Sequence, residues 1–193
     1  MNKFFYKFYL LNSTDLPVMT QPTDSFEEID SAVVRFAGDS GDGMQTVGER
    51  FTDSSAFAGN DIATLPDFPA EIRAPAGTLA GVSGFQLQFG NSKILTPGDA
   101  PDALVAMNPA ALKANISDLP EGGMLVVNID SFKSMNLKKA GYENNPLEDE
   151  DFRKKYHLVE LDLTGLTKEA LKESPPKPSD KVRCKNFFAL GFM

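Results

Sequence analysis

Six residues between two apolar segments constrain this chain most: Gly38-Asp39-Ser40-Gly41-Asp42-Gly43. Before them, Ala32–Ala37 is a short apolar run interrupted only by Arg35, the pattern of a buried strand. After them, Met44, Val47, Phe51 and Ala58 recur at three- and four-residue steps, with Glu49, Arg50 and Asp53 on the opposite side. That spacing predicts a helix from about Met44 to Ala58. Gly59 is its natural stop, because glycine adopts the left-handed conformation that ends helices. A strand, a tight glycine turn and a helix open an α/β domain and place backbone N–H groups at a helix N-terminus.

The loop has two readings. Its spacing is G-x-x-G-x-G, the reverse of the dinucleotide fingerprint G-x-G-x-x-G, and it lacks the Gly-Lys-Ser/Thr ending of a Walker loop. Asp39 and Asp42 would repel a bound pyrophosphate unless they faced away. Asp42 has a structural alternative as the helix N-cap, accepting N–H groups of the first turn. The loop is therefore either a sharp turn that only glycines allow or a surface that meets a ligand.

Four stretches in order carry a resemblance that covers nearly the whole chain from Ala32 onward. They are VVRFAGDSGDGMQTVGERFT, PDFPAEIRAPAGTLAGVSGFQLQFG (Pro66–Gly90), DALVAMNPAALKANI (Asp102–Ile116) and the terminal KNFFALGFM. Together they resemble the gamma domain of 2-oxoacid:ferredoxin oxidoreductases, in the form fused at the front of the alpha subunit, as in the 2-oxoglutarate enzymes. Many relatives carry a G-x-G-G-Q-G loop; GDSGDG fits the fused subgroup. The resemblance implies that the complete enzyme oxidatively decarboxylates a 2-oxoacid, transfers the acyl group to coenzyme A and reduces ferredoxin. It implies thiamine diphosphate and an iron–sulfur cluster in the complete complex, bound mostly outside this chain. The implied partners are a thiamine-diphosphate-binding beta subunit and the rest of the alpha subunit. This domain would cover the active site and contribute to the coenzyme A side and to subunit contacts. The residues expected to face that site are Gly38, Ser40, Gly41, Asp42, Gly43 and Arg73. Arg73 qualifies because a guanidinium can grip a phosphate or carboxylate with two parallel bonds, although an ion pair with Glu71 or a loop carboxylate is the blander alternative. No residue stands out as a catalytic acid, base or nucleophile.

Composition narrows the partners. The 193 residues suit one domain, or one plus tails, and 41% hydrophobic content supports a real core. A net charge of -8 argues against nucleic acid. One cysteine, Cys184, excludes an internal disulfide or a Cys-ligated cluster, and one histidine, His157, excludes a multi-histidine metal site. No apolar run approaches the roughly 20 residues a bilayer span needs, so the expected place is the cytoplasm.

Residues 1–31 read as a separate leader. Met1–Leu11 is apolar but broken by Lys7, unlike a signal peptide, and Met19 is a plausible true start; a membrane-surface or docking tail is the alternative. Beyond the first helix, Asp61–Leu65 predicts a second strand, closed by Pro66 and Pro69. Asp67 lies where a dinucleotide fold would place its ribose-binding acid, which keeps open a stand-alone nucleotide-binding oxidoreductase. Phe85, Leu87 and Phe89 alternate with glutamines as a half-buried strand. Gly90-Asn91-Ser92 predicts a hairpin into Lys93–Thr96, making part of the sheet antiparallel. Asp102–Met107, a helix begun by Asn108-Pro109, and Met124–Ile129 predict a βαβ unit. Asn108 and Asn128 then sit at strand C-terminal ends, where capping is the favoured role. Ser131–Asp151 reads as irregular, with the acidic run Glu148–Asp151 as solvated surface. A short helix over Asp151–Tyr156, a strand over His157–Leu163 and a helix over Thr167–Glu173 follow. Ser174–Ser179 reads as an extended linker.

The predicted fold class is α/β, a three-layer α/β/α domain over residues 32–173 with a mainly parallel sheet. Residues 174–193 read as a linker and the start of a helix leading into further chain. A non-catalytic assembly module is the third functional reading.

Overall fold

The computed structural model describes residues 29–68, 81–175 and 177–193. Six strands form one sheet: β1 (Ser31–Asp39), β2 (Asp61–Asp67), β3 (Val82–Gly90), β4 (Ala103–Ala106), β5 (Met124–Asn128) and β6 (His157–Leu161), in the order β2-β3-β1-β4-β5-β6. β1, β4, β5 and β6 run parallel, while β3 is antiparallel to both of its neighbours, β1 and β2. The helices are α1 (Met44–Phe57), α2 (Pro109–Asn115), α3 (Ser134–Lys139), α4 (Glu150–Lys155), α5 (Leu163–Ala170), α6 (Pro178–Arg183) and α7 (Lys185–Phe192).

Strand alternation divides the core between two faces. Val34 and Phe36 of β1, Val105 of β4 and Val126 of β5 point toward α1, α5 and α7, meeting Met44, Val47, Leu163 and Ala189. Ala37, Leu104, Ala106, Leu125 and Val127 point toward α2, α3 and α4, meeting Ala111, Leu112, Leu137 and Leu147. Full burial of side chains such as Leu112 and Leu125 contributes about 1.5–3 kcal/mol each. The sheet thus has helices on both sides, as the three-layer expectation has it.

Several local expectations give way to longer-range pairing. Residues 93–96 form no strand. The Ile94 N–H donates to Asp61 Oδ2 at 2.7 Å, and Gln86 Nε2 donates to the carbonyls of Pro97 and Gly98 at 2.9 and 2.6 Å. The segment after β3 is thereby bonded back along the sheet, and β3 takes its antiparallel partners from β1 and β2. Pro66 lies inside β2, opposite Phe85. The strand tolerates it because β2 is the sheet edge, where the missing N–H breaks no outer ladder. Residues 131–151 contain α3. β6 stops at Leu161 and not at Leu163, because the Asp162 carboxylate accepts the Gly165 N–H at 2.8 Å and starts α5 at Leu163, ahead of the expected start at Thr167. Pro178 begins α6 and so ends the expected extended segment.

One charged side chain sits within the β1 ladder. Arg35 donates to Gln86 Oε1 at 2.8 Å and Asn115 Oδ1 at 3.3 Å and pairs with Asp118, tying β1 to β3 and to the turn after α2. Its charge is satisfied, which explains its place in an otherwise apolar strand.

Candidate functional site

The connections after β1 and β4 leave the sheet toward opposite faces, β1 into α1 and β4 into α2. Adjacent parallel strands with diverging connections create a crevice at their C-terminal ends, the usual ligand position in open α/β sheets. A cleft of about 360 Å³ lies there. Its walls come from the glycine loop (Asp39, Asp42), the start of α2 (Asn108, Pro109, Ala110), the segment from Ser131 to Ala140, and Lys185 at the start of α7.

The loop is tightly self-bonded. The Asp42 N–H donates to the Asp39 carbonyl at 2.9 Å, and the Asp39 N–H donates to Asp42 Oδ2 at 3.1 Å. Asp42 is therefore not the helix N-cap that its position suggests. Gly43 holds that place with φ 74°, and no side chain caps α1. The helix starts one residue too late for the Asp42 carboxylate to reach its first turn. Instead, Asp42 Oδ1 pairs with Lys185 Nζ at 3.0 Å.

Each glycine of the loop has its own reason. At Gly43 the left-handed backbone disfavours a side chain, and a Cβ would lie 2.5 Å from Asn186 Nδ2. At Gly38 a Cβ would press on Asp42 and Met44 at 3.0–3.2 Å. At Gly41 a Cβ would meet nothing within 4 Å. Gly38, Asp42 and Gly43 are thus occupied by the loop's own packing, while Ser40 and Gly41 are exposed.

Asn108 does two jobs. Its Oδ1 accepts the Ala111 N–H at 2.8 Å, capping α2, and its Nδ2 donates to Asp39 Oδ1 at 2.8 Å. The Asp39 carboxyl faces the cleft even though the residue as a whole is exposed. Its pKa is raised, first by burial of the carboxyl group and then by the Asp42 carboxylate, with Asn108, Lys185 and Lys139 pulling the other way. Asn128 is fully buried and structural: it accepts the Leu163 N–H at 3.1 Å and donates to Ser131 Oγ at 2.9 Å.

Of the six residues expected at the site, Asp42 lines this cleft; Gly38, Ser40, Gly41 and Gly43 are chain neighbours of the two loop residues that line it, Asp39 and Asp42, and Arg73 lies outside the described residues. Asp67 ends β2, two strands from the glycine loop with β3 between. A dinucleotide fold would need that acid on the strand next to β1. Gln45, in the first turn of α1, holds the region in place by donating to the carbonyls of Asp67 and Gly84 at 3.0 and 2.8 Å. Lys139 and Lys185 escaped sequence reasoning: Lys139 lies in a charged segment that reads as solvated surface, and Lys185 heads an apolar helix with no spacing that links it to the loop. Among the described residues no group of three or more His, Cys, Asp or Glu comes together as a metal site, and no helix is long and apolar enough to cross a membrane. With one cysteine in the sequence, no iron–sulfur cluster is assigned to this chain.

Residues 33–193 match the family described as pyruvate ferredoxin/flavodoxin oxidoreductase. The 2-oxoglutarate oxidoreductase subunit KorA of Mycobacterium tuberculosis is 55% identical over 167 residues, which cover 86% of this chain and 25% of that subunit. The chain thus spans about a quarter of the length of this relative. Among solved structures, a 2-oxoglutarate:ferredoxin oxidoreductase from Magnetococcus marinus with 2-oxoglutarate, coenzyme A and succinyl-CoA bound superposes with a TM-score of 0.61 at 23% identity. That match covers 85% of this chain and 24% of the other. A keto/oxoacid ferredoxin oxidoreductase gamma subunit from Geobacter sulfurreducens PCA gives a TM-score of 0.53 at 20% identity, covering 83% of this chain and 73% of that one. At those identities the two structures establish the fold.

Proposed function

The chain belongs to the pyruvate ferredoxin/flavodoxin oxidoreductase family, and from that premise we propose that it forms the gamma-type domain of the alpha subunit of a 2-oxoacid:ferredoxin oxidoreductase. The complete enzyme would convert a 2-oxoacid such as 2-oxoglutarate and coenzyme A into the acyl-CoA and carbon dioxide, passing two electrons to ferredoxin. The observation that carries this reading is the 55% identity, across 86% of the chain, to a subunit named for 2-oxoglutarate oxidation. Since the chain spans a quarter of that relative, the remainder of the subunit and a beta subunit would hold the thiamine diphosphate and the electron carriers. Thiamine diphosphate supplies the carbanion-stabilising chemistry, and no step of it is assigned to residues here.

This domain's part would be to cover the active site on the coenzyme A side. The crevice at the β1–β4 junction supports that role, because Asp42 of the glycine loop lines it and Gly38, Ser40, Gly41 and Gly43 flank the lining residues Asp39 and Asp42 in the chain. Ser40 and Gly41 are the members free of packing duties and would be the surface that meets ligand. Arg73 belongs to the same proposal on its chemistry alone. The stand-alone nucleotide-binding reading loses its acid, since Asp67 sits on the edge strand.

The test is the complete alpha subunit purified with its beta partner and assayed for ferredoxin reduction. The expected result is reduction that needs both 2-oxoglutarate and coenzyme A. A complex that reduces ferredoxin with no 2-oxoacid would sink the proposal. Unchanged coenzyme A kinetics after Gly41→Ala and Ser40→Ala would reduce the domain to an assembly module.

A further inference from the structure

Two consecutive residues at the start of α7 break local rules, and both meet the glycine loop. Lys185 is a cation in the first turn of a helix, where the dipole favours anions, and that turn has no acidic residue to offset it. Its ammonium instead meets Asp42 Oδ1 at 3.0 Å, with both side chains largely buried. Asn186 is buried as well. Its Oδ1 accepts the Phe187 N–H at 2.8 Å, but its Nδ2 has no acceptor among the described residues, which is unfavourable for a buried donor. That Nδ2 sits over Gly43, 2.5 Å from where a Cβ would be. Residues that oppose their own helix while fitting a distant loop mark a place shaped for that loop.

The loop needs that outside support. Ser40 and Gly41 are exposed, and a Cβ at Gly41 would meet nothing within 4 Å. The residues on either side therefore set their conformation. On one side, Asp39 is held by Asn108 Nδ2 at 2.8 Å. On the other, Asp42 closes the turn: its N–H donates to the Asp39 carbonyl at 2.9 Å, and its Oδ2 accepts the Asp39 N–H at 3.1 Å. The two carboxylates repel each other, which adds to burial in raising the Asp39 pKa. Lys185 is the cation that keeps the Asp42 carboxylate folded into the turn. Its helix is rooted by Ala189, buried in the same core as Met44 and Val47 of α1. We infer that Lys185 and Asn186 are positioning residues for the glycine loop: α7 fixes Asp42 and Gly43, and through them the Ser40-Gly41 pair. That this pair meets coenzyme A rests on the functional reading above; the clamp rests on the geometry.

The experiment has two arms, both on the complete alpha subunit with its beta partner. The first is hydrogen–deuterium exchange without ligand, read at the Asp39 and Asp42 amides, whose hydrogen bonds close the turn. Lys185→Met is expected to speed their exchange about tenfold by favouring local opening, and Asn186→Ala, an independent variant, to act at the same amides. Lys185→Arg, which keeps the charge, should stay near wild type, and β4 and β5 should not change. The second arm measures KM for coenzyme A and for 2-oxoglutarate by ferredoxin reduction. Lys185→Met is expected to raise KM for coenzyme A about tenfold, well within what a misplaced contact costs, while kcat and KM for 2-oxoglutarate stay within about twofold. Adding Asp42→Asn should recover part of that rise, because the amide still accepts the Asp39 N–H without repelling Asp39; lost packing alone would not allow it. Unchanged exchange at Asp39 and Asp42 in Lys185→Met overturns the clamp. Equal rises in both KM values, or faster exchange spread through β4 and β5, is general loosening and overturns it too. Faster loop exchange with KM for coenzyme A unchanged keeps the clamp and refutes the reading that this loop meets coenzyme A.

Discussion

Replacing Lys185 by methionine should loosen the contact between α7 and the glycine loop, and the size of the effect follows from the pair's surroundings. The Lys185 and Asp42 side chains keep only 20% and 16% of their exposure at a separation of 3.0 Å. At an effective dielectric of about 20, two charges that close attract by about 5–6 kcal/mol before desolvation is subtracted. Exposed pairs retain at most about 1 kcal/mol of such attraction, whereas breaking a fully buried pair costs about 3–5 kcal/mol. A pair four-fifths buried falls between, so Lys185→Met should destabilise the chain by about 2 kcal/mol. Asp42→Asn alone should cost about 1–2 kcal/mol, because it also weakens the bond from the Asp39 N–H. The double variant should cost no more than Lys185→Met alone, about half the sum of the two single losses, which corresponds to a coupling energy of about 1.5–2 kcal/mol. Urea unfolding of wild type, both single variants and the double variant measures this cycle directly. A coupling below about 0.5 kcal/mol, the range of independent sites, would show that the pair does not join helix and loop.

Other expectations concern single positions. Gly43→Ala forces a side chain into a left-handed backbone against Asn186 and should cost about 1–2 kcal/mol or more, whereas Gly41→Ala, with open space around it, should stay within about 0.5 kcal/mol; thermal melts of the two variants check the contrast. Gly48→Ala would place its Cβ 2.1 Å from the Phe85 ring, and overpacking of that severity should lower stability by about 3 kcal/mol or prevent folding, seen in urea midpoints. Asp39 has its pKa raised above the usual 3.8 in the folded state. The native protein therefore holds this proton more tightly than the unfolded chain, and stability from this group is full at low pH and is lost as pH rises above 3.8. Asp39→Asn should flatten that fall in stability-versus-pH curves, while an unchanged slope would contradict it. Tyr142 is pushed up to about 12 by burial, so spectrophotometric titration should find one phenol of the chain's four tyrosines still protonated near pH 11.

The parts legible in the sequence are those governed by local rules. The glycine spacing and the period of Met44, Val47 and Phe51 fix β1, the loop and α1 within a residue or two. Asn108-Pro109 marks the start of α2, because a side-chain acceptor and a ring without an N–H both act within one turn. The failures come where distant chain decides. Gly90-Asn91-Ser92 is a sound local turn signal, yet β3 pairs with β1 and β2, and the Asp61 carboxylate and Gln86 amide claim the following segment. Asp42 has the right chemistry for a cap and sits one residue too early, a distinction of register that composition cannot resolve. Lys139 and Lys185 reach the cleft only through the packing of α3 and α7 against opposite faces of the sheet. No spacing to the loop announces them, since they lie far downstream and Lys185 farther still than Lys139.

The central claim is that the crevice at the β1–β4 junction faces coenzyme A in the assembled enzyme. Hydrogen–deuterium exchange of the complete complex, with and without coenzyme A, tests it directly, because the loop amides report ligand contact without any substitution. The expected result is slowed exchange at Ser40, Gly41 and the first turn of α1 when coenzyme A is added, with α4 and β6 unchanged. Coenzyme A that supports turnover yet leaves the exchange of residues 38–46 untouched would contradict the account.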